Sequence, residues 1–370
     1  MIPYLAKNLP FDSEINYNQI TKQLLSANAS VSKFDGMLEE TSVSKDLFLN
    51  PLTKKEAVLS SKIEGTQATL TEFLEIEIEN GKSDSISKYD DYIEIQNYNN
   101  AINYAEEELN DKGFISLWMI RSIHKILLNG ARGKDKNPGE FRKDQNWIGK
   151  PGSPIEDATF IPVAPEKLID CLENLEKYIS KYDEQSVLVQ AAIIHAQFEK
   201  IHPFKDGNGR IGRMLIPLFL YYKKVISRPI LYVSEFLENN RDEYYYKLNN
   251  IDNENGWIEW ILFFLKAIET QSNSNIEKIK KLQKLYEDQK QKINEIINSK
   301  NGIYILDALF THPICKSSTI YNDVSEKTKI DASTIDRYIK KLVENRILIQ
   351  ENNKERHKKY YFQALIDIIQ

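Results

Sequence analysis

Residues 202–213, His202-Pro203-Phe204-Lys205-Asp206-Gly207-Asn208-Gly209-Arg210-Ile211-Gly212-Arg213, gather groups whose types and spacing suit phosphate chemistry. His202 is the one nearby side chain able to take a proton near neutral pH. Asp206 offers a hard carboxylate, the kind of ligand that binds Mg2+ together with substrate phosphates. Gly207, Asn208 and Gly209 stand at what reads as a helix start, where free N–H groups and the positive dipole end attract an anion. The glycines, Gly212 included, let the backbone approach a phosphate closely. Arg210 and Arg213 can fork onto further phosphate oxygens. The ligand such a set would handle is a nucleoside triphosphate.

Two rival patterns share these residues. Gly207 to Gly212 satisfies the G-x-G-x-x-G dinucleotide fingerprint, which needs a preceding strand and a βαβ unit. The residues before it repeat with helical spacing instead. His195 and His202 can share one helical face, as a metal pair would, but no HExxH or comparable ligand spacing accompanies them. A buried, hydrogen-bonded structural role suits His195 better.

The elements that must position the stretch are two apolar, helix-like runs, Val187 to Ile201 before it and Ile211 to Tyr222 after it. Other helices are expected over 15–40, 54–61, 69–79, 88–110, 114–128, 166–180 and 232–249, with His124 a structural residue. Asn50-Pro51 reads as a break, because the residue before proline is pushed out of the helical region. Asn146 to Gly149 and Thr159 to Val163, turned by Pro151-Gly152-Ser153, read as a hairpin. Residues 257–268 close the core, and 276–297 read as a charged connector helix. Helices over 302–310, 318–324 and 333–345, then strands over 347–350 and 359–362, make a separate C-terminal unit.

Composition narrows the classes. The net charge of -5 gives no global attraction to nucleic acid. Cys171 and Cys315 are too few for a disulfide framework, which suits a reducing compartment. Residues 1–14 carry no apolar signal segment, and the longest apolar runs are about half a membrane span. A cytoplasmic protein with no membrane partner is expected.

The 202–213 stretch matches the HPFx(D/E)GNGRxxR signature at every defined position, so the chain resembles the Fic-domain protein adenylyltransferases. His195-Ala196-Gln197-Phe198-Glu199 is similar to the usual lead-in. The resemblance implies a mainly α fold: a Fic helical core with a β-hairpin flap. Upstream, Ser60-Ser61-Lys62-Ile63-Glu64-Gly65 resembles the (S/T)xxxE(G/N) motif of one class of the family. There the glutamate reaches the second arginine, here Arg213, and takes the guanidinium that should hold the γ-phosphate; by itself Glu64 is an ordinary solvated charge. The resemblance makes the hairpin, with Trp147, Phe160 and Ile161, a flap that docks the target by strand addition; the plain alternative is a surface hairpin. It also puts Tyr244 or Tyr245 beside the adenosine, although tyrosines at helical spacing are more often core.

Three helices followed by a hairpin resemble a winged helix-turn-helix. Ser333, Thr334, Arg337, Tyr338, Lys340 and Lys341, with Lys354, Arg356, His357, Lys358 and Lys359, offer groups for phosphates and base edges. Winged helices also serve as protein-contact modules. The expected organisation is an N-terminal helical region 1–110 with the inhibitory motif 60–65, a catalytic core 111–270, a linker 271–300 and a winged helix 301–370. The implied function is self-inhibited, Mg2+-dependent transfer of AMP from ATP to a Tyr, Thr or Ser hydroxyl of an unidentified target, with auto-modification and homodimerisation expected of the class. Alternatives are removal of AMP with Glu64 orienting a water, transfer of another phosphate-containing group, or a DNA-binding regulator with a nucleotide-sensing core.

Overall fold

Helix dominates because apolar residues recur at helical spacing along most of the chain. The computed structural model describes every residue except 1, 11–14, 40–44, 80, 83, 84, 131, 134, 151, 182, 183 and 352–357. Among the described residues the order begins α1 (Tyr17–Glu39), α2 (Lys45–Ile63), α3 (Leu70–Glu77), α4 (Ile86–Lys112), α5 (Leu117–Leu127), α6 (Leu168–Lys181), α7 (Val187–Ile201) and α8 (Asn208–Tyr222). It continues with α9 (Ser234–Asn239), α10 (Arg241–Asn249), α11 (Gly256–Ile297), α12 (Gly302–Thr311), β1 (Ile314–Cys315), α13 (Ser317–Ser325), α14 (Ala332–Glu344), β2 (Ile349–Gln350), β3 (Tyr360–Tyr361) and α15 (Gln363–Ile369). No helix among them is long and apolar enough to cross a membrane.

The residues form two compact units, one of Met1–Gly36, Leu59–Thr66 and Ile93–Asn273, the other of Met37–Val58, Gln67–Tyr92 and Ser274–Gln370. In the first, α7 packs on α8, and both are buried along nearly their whole length rather than on one face. Burial on all sides marks the centre of the unit. Trp260 of α11 donates its indole N–H to the Ala192 carbonyl at 2.9 Å, and Glu269 accepts from Gln23 at 2.6 Å and Ser26 at 2.5 Å, tying α1 to α11.

In the second unit α12, β1, α13, α14, β2 and β3 follow in sequence, and the three strands lie antiparallel in the order β1-β3-β2. Ile314 and Ile349 both pair with Tyr361. The unit also takes in residues that the sequence assigns to the N-terminal region. Phe48 stands edge-on to Tyr286 and Phe310, with ring centroids 6.0 and 5.9 Å apart. Tyr361 donates to Glu75 at 2.9 Å, and Lys55 to the Gln370 carbonyl at 2.6 Å. The boundaries therefore differ from the expected free-standing 301–370.

Four local expectations need correction. Pro51 does not break a helix; it lies inside α2. Burial of Phe48, Leu49 and Leu52 outweighs the lost bond to the Leu47 carbonyl. The core-closing helix and the connector are one 42-residue helix, α11, since no glycine or proline interrupts it after Gly256. Residues 232–249 split into α9 and α10 at Asn240. The hairpin is shorter than expected, a single antiparallel bridge between Ile148 and Phe160 followed in the loop by a short 3-10 turn over Ile155–Asp157. Its Pro151 lies outside the described residues, as do Lys354, Arg356 and His357 of the wing.

Candidate active site

The site is a loop stretched between two buried helices. α7 ends at His202, whose φ of 52° is left-handed and whose N–H caps the helix on the Phe198 carbonyl at 2.9 Å. A non-glycine residue holds that conformation only where its surroundings fix it. Arg142 does so from below. Its guanidinium donates to the carbonyls of His202 at 2.9 Å, Ile201 at 3.2 Å, Asp144 at 3.2 Å and Val163, and its own N–H reaches Pro203 O at 2.9 Å. Burial lowers the Arg142 pKa to about 10, and main-chain oxygens meet its charge.

Two more side chains shape the loop. Asn208 accepts from the Phe204 N–H and donates to the Phe204 carbonyl, both at 2.8 Å. His124, wholly buried, lies flat on the Phe204 ring with centroids 3.8 Å apart. The Gly139 N–H donates to its Nδ1 at 2.7 Å, which fixes the tautomer, so Nε2–H donates to the Asp206 carbonyl at 3.1 Å. Burial pulls its pKa down to about 4, so it is neutral in this role. Gly207, at φ 78°, then turns the chain into α8.

His202 is neutral for the same reason, its pKa lowered to about 4 chiefly by burial among its neighbours. Its Nδ1 contacts the Glu199 carbonyl at 3.2 Å. Nδ1 therefore carries the hydrogen, and Nε2 is left as a base. Asp206 accepts from the Gly207 N–H at 2.5 Å and from Arg210 Nη2 at 3.3 Å, both through Oδ1. Its side chain stays 43% exposed, and Oδ2 has no hydrogen bond among the described residues. The first main-chain bond into α8 is from Ile211 to Gly207, so the N–H groups of Asn208, Gly209 and Arg210 are unpaired among the described residues. Arg210 Nε is buried with no acceptor among the described residues. Unpaired donors in such density call for an anion.

Arg213, one turn further on, is fully buried and engaged. It donates from Nε to the Ser60 hydroxyl at 3.0 Å, and from Nη2 to the Ser60 carbonyl at 2.8 Å and Glu64 Oε1 at 2.6 Å. Burial works against the Glu64 carboxylate, but Arg213 outweighs it and lowers the pKa. Burial likewise opposes the charge on Arg213, and Glu64 more than restores it. Gly209 allows this approach, because a Cβ there would collide with Glu64 Oε1. Gly65, at φ 107°, ends the turn that carries Glu64. Arg241 also holds that turn, donating to the Ile63 carbonyl at 2.5 Å.

The two tyrosines separate. Tyr244 is 1% exposed and its hydroxyl meets His195 Nε2 at 3.1 Å, while His195 Nδ1 reaches the Gly212 carbonyl at 2.9 Å. That hydroxyl and His195 are core, whereas Tyr245 keeps a 37% exposed ring. In the hairpin, Trp147 is exposed and bonds the Ser153 carbonyl at 3.0 Å, Phe160 is half-buried and Ile161 is buried. In α14, Ser333 and Thr334 bond the Asp331 cap, Tyr338 is buried and Lys341 reaches the Ile296 carbonyl, which leaves Arg337 and Lys340 exposed beside Asp336 and Glu344.

Sequence reasoning noted Arg142 only as the end of Pro138-Gly139-Glu140-Phe141-Arg142, similar to the family's usual entry to this region, and gave no role to it, to Arg241 or to the hydrogen bonds of His124. It named Glu199 only within the lead-in and gave it no role; the side chain is buried against Gly212, Oε1 has no partner among the described residues, and burial raises its pKa to about 8. A charge inside an apolar helix that tolerates a glycine opposite was the available signal.

Comparison with known proteins agrees with this geometry. Residues 114–220 match the Fic/DOC family, and residues 21–107 match the Fic/DOC family N-terminal region. Over 174 residues the chain is 29% identical to the Protein adenylyltransferase Fic of Drosophila mojavensis, covering 45% of this chain and 32% of that protein. Over 173 residues it is 26% identical to a probable protein adenylyltransferase of Aquifex aeolicus, covering 47% of this chain and 49% of the other. The chain thus spans half or less of these relatives. The crystal structure of a Fic family protein from Desulfovibrio desulfuricans G20 superposes with a TM-score of 0.60 over 95% of this chain and 97% of that one, at 16% identity, which speaks to the fold.

Proposed function

Because the chain belongs to the Fic/DOC family, matched over residues 21–107 by its N-terminal region and over 114–220 by its core, we propose that it is a self-inhibited protein adenylyltransferase. It moves AMP from ATP to a hydroxyl of a target protein. The observation that carries this reading is the unpaired donor set, Arg210 Nε and the N–H groups of residues 208–210, beside a neutral His202 with a free Nε2.

In the reaction the hydroxyl oxygen attacks the α-phosphorus, and His202 Nε2 takes its proton. The new P–O bond forms as the bond to pyrophosphate breaks. The α8 amides and Arg210 bind the phosphates, and Asn208 keeps the loop in shape through Phe204. Positioning and charge stabilisation carry most of such a transfer. Asp206 fits Mg2+: its exposed carboxylate keeps an oxygen free of hydrogen bonds. No cluster of three acidic, His or Cys ligands exists among the described residues, so ATP would complete the shell. The ion would neutralise charge on the phosphates. Tyr245 is the better candidate of the pair to border the adenosine.

Self-inhibition rests on Glu64. While it holds Arg213 Nη2, that guanidinium is unavailable to the γ-phosphate, and ATP sits out of line. Glu64 Oε2 has no hydrogen bond among the described residues, which favours a second reading: this oxygen orients water for removal of AMP. For the C-terminal segment we retain a winged helix, supported by its strand order. The acidic residues among Arg337 and Lys340 favour protein over DNA as its contact.

The test is incorporation of label into protein from ATP carrying it on the α- or the γ-phosphate. Label from α alone supports AMP transfer. Label from γ, or release of AMP from pre-modified protein without forward transfer, rejects it.

A further inference from the structure

The chain leaves the turn that carries Glu64 through Thr66, and Thr66 is held from outside that turn. Its N–H donates to the Ser61 carbonyl at 3.1 Å, the same oxygen that takes the Glu64 N–H at 3.0 Å. Its hydroxyl donates to Glu94 Oε2 of α4 at 2.7 Å, a bond buried at both ends, with Thr66 4% and Glu94 8% exposed. A short hydroxyl bond to a carboxylate is among the stronger ones a side chain makes.

The other oxygen of Glu94 is taken as well. Arg132 Nε donates to Oε1 at 2.9 Å from the half-exposed end of the pair. With both oxygens engaged, the carboxylate cannot turn away from Thr66 without straining its bond to Arg132. Arg132 precedes Gly133, where a Cβ would stand 2.7 Å from Leu128 Cδ2 and 3.3 Å from Asp206 Oδ2. One turn along α4, Asn97 donates to the carbonyls of Leu127 at 3.3 Å and Asn129 at 2.6 Å. One side of α4 thus braces both the turn that presents Glu64 and the chain after α5 that lies against Asp206.

A buried carboxylate is a costly way to gain stability. What it adds here is direction, since it fixes Thr66 and Arg132 at one point. Direction matters to Glu64, whose side chain is 33% exposed and has solvent to turn into. Its contact with Arg213 therefore depends on where the main chain places it.

We infer that Glu94 is a positioning residue for self-inhibition: through the Thr66 hydroxyl it fixes the turn so that Glu64 Oε1 meets Arg213. That role rests on the proposed function, whereas the bracing of the turn stands on the hydrogen bonds alone.

Thr66→Val keeps the shape and removes the hydroxyl, Thr66→Ser restores it, and Glu94→Ala removes the acceptor from a helix that takes alanine readily. In the whole chain, Thr66→Val and Glu94→Ala are each expected to raise label incorporation from α-labelled ATP at least threefold, with Thr66→Ser within twofold of wild type. In the Glu64→Gly background the same two changes should alter the rate less than twofold, since no glutamate is left to position. A merely structural loss would alter both backgrounds alike. Amide hydrogen exchange needs no nucleotide: the amides of Glu64, Gly65 and Thr66 should exchange at least threefold faster in both variants, and that of Ile211 in α8 should not change. Unaltered exchange at residues 64–66 in both variants, or an equal rate change with and without Glu64, would overturn the inference. Absence of label from every protein rejects the proposed function instead, and the exchange result still decides the bracing.

Discussion

Glu64 and Arg213 stand 149 positions apart in sequence and share a 2.6 Å hydrogen bond across the start of α8. The arginine is the buried member, with 1% of its side chain exposed against 33% for the glutamate. The contact therefore neutralises a guanidinium that water does not reach.

Replacing Glu64 by Gly is expected to raise auto-modification by roughly ten- to a hundredfold, each tenfold step matching about 1.4 kcal/mol in the barrier. Arg213→Ala is expected to be slow with or without Glu64, because it removes the phosphate contact. The double variant should behave as Arg213→Ala alone, the non-additivity of one network. Label incorporation by the four proteins at equal ATP decides it; equal rates for wild type and Glu64→Gly favour AMP removal.

His202→Ala should abolish transfer and leave ATP binding within about threefold, since the imidazole meets the acceptor hydroxyl rather than the phosphates. With its pKa lowered to about 4, His202 is already unprotonated well below neutrality. In the Glu64→Gly protein the loss of a carboxylate that raises the His202 pKa moves it lower still, so the rate should rise with pH at or below about 4 and be level by about 6. A midpoint at the ordinary histidine value would show that the base is not this buried imidazole.

Asp206→Ala should remove Mg2+ dependence together with activity. Titration calorimetry with ATP, with and without Mg2+, reads it directly: the variant should bind the two forms alike. Retained preference for Mg·ATP means that another group holds the ion.

Glu199→Gln tests the buried acid. Its folded pKa, raised to about 8, lies above the unfolded value, so the folded form binds more protons and wild-type stability falls as pH rises from about 5 to 8. The glutamine variant lacks that slope. Its Tm should exceed that of wild type by several degrees at about pH 8 and converge with it near pH 5. Parallel Tm curves would show that Glu199 is ionised in the fold.

Removing residues 301–370 should lower the Tm by ten degrees or more, or yield insoluble protein. Phe48 would lose Phe310, and Lys55 and Glu75 would lose Gln370 and Tyr361. Scanning calorimetry of the truncated chain settles it; an unchanged transition would mean that 301–370 folds by itself.

The legible part of the site was contiguous. Residues 202–213 carry donors, base and carboxylate within one loop, so type and spacing sufficed. Contacts that hold the loop were not legible, because Arg142 meets the His202 carbonyl and His124 the Asp206 carbonyl from 60 and 82 positions away. Such bonds use main-chain oxygens, which every sequence has. Helix positions followed from periodicity more than helix ends did: burial carried α2 through Pro51, α11 runs unbroken through two expected helices, and 232–249 divides at Asn240.

The grip on Arg213 has a mechanical consequence. Two of its three bonds go to Ser60, not to Glu64, and the Ser60 carbonyl is free for this because the Glu64 N–H turns to Ser61 instead. Arg241 takes the Ile63 carbonyl in the same turn. Two arginines thus serve as a C-terminal cap for α2, at the end where cations are favoured. Swinging one glutamate aside leaves that cap in place. On the proposed reading, loss of Glu64 alone returns one of the three bonds of Arg213 to the nucleotide, whereas freeing the whole guanidinium would require the last turn of α2 to fray.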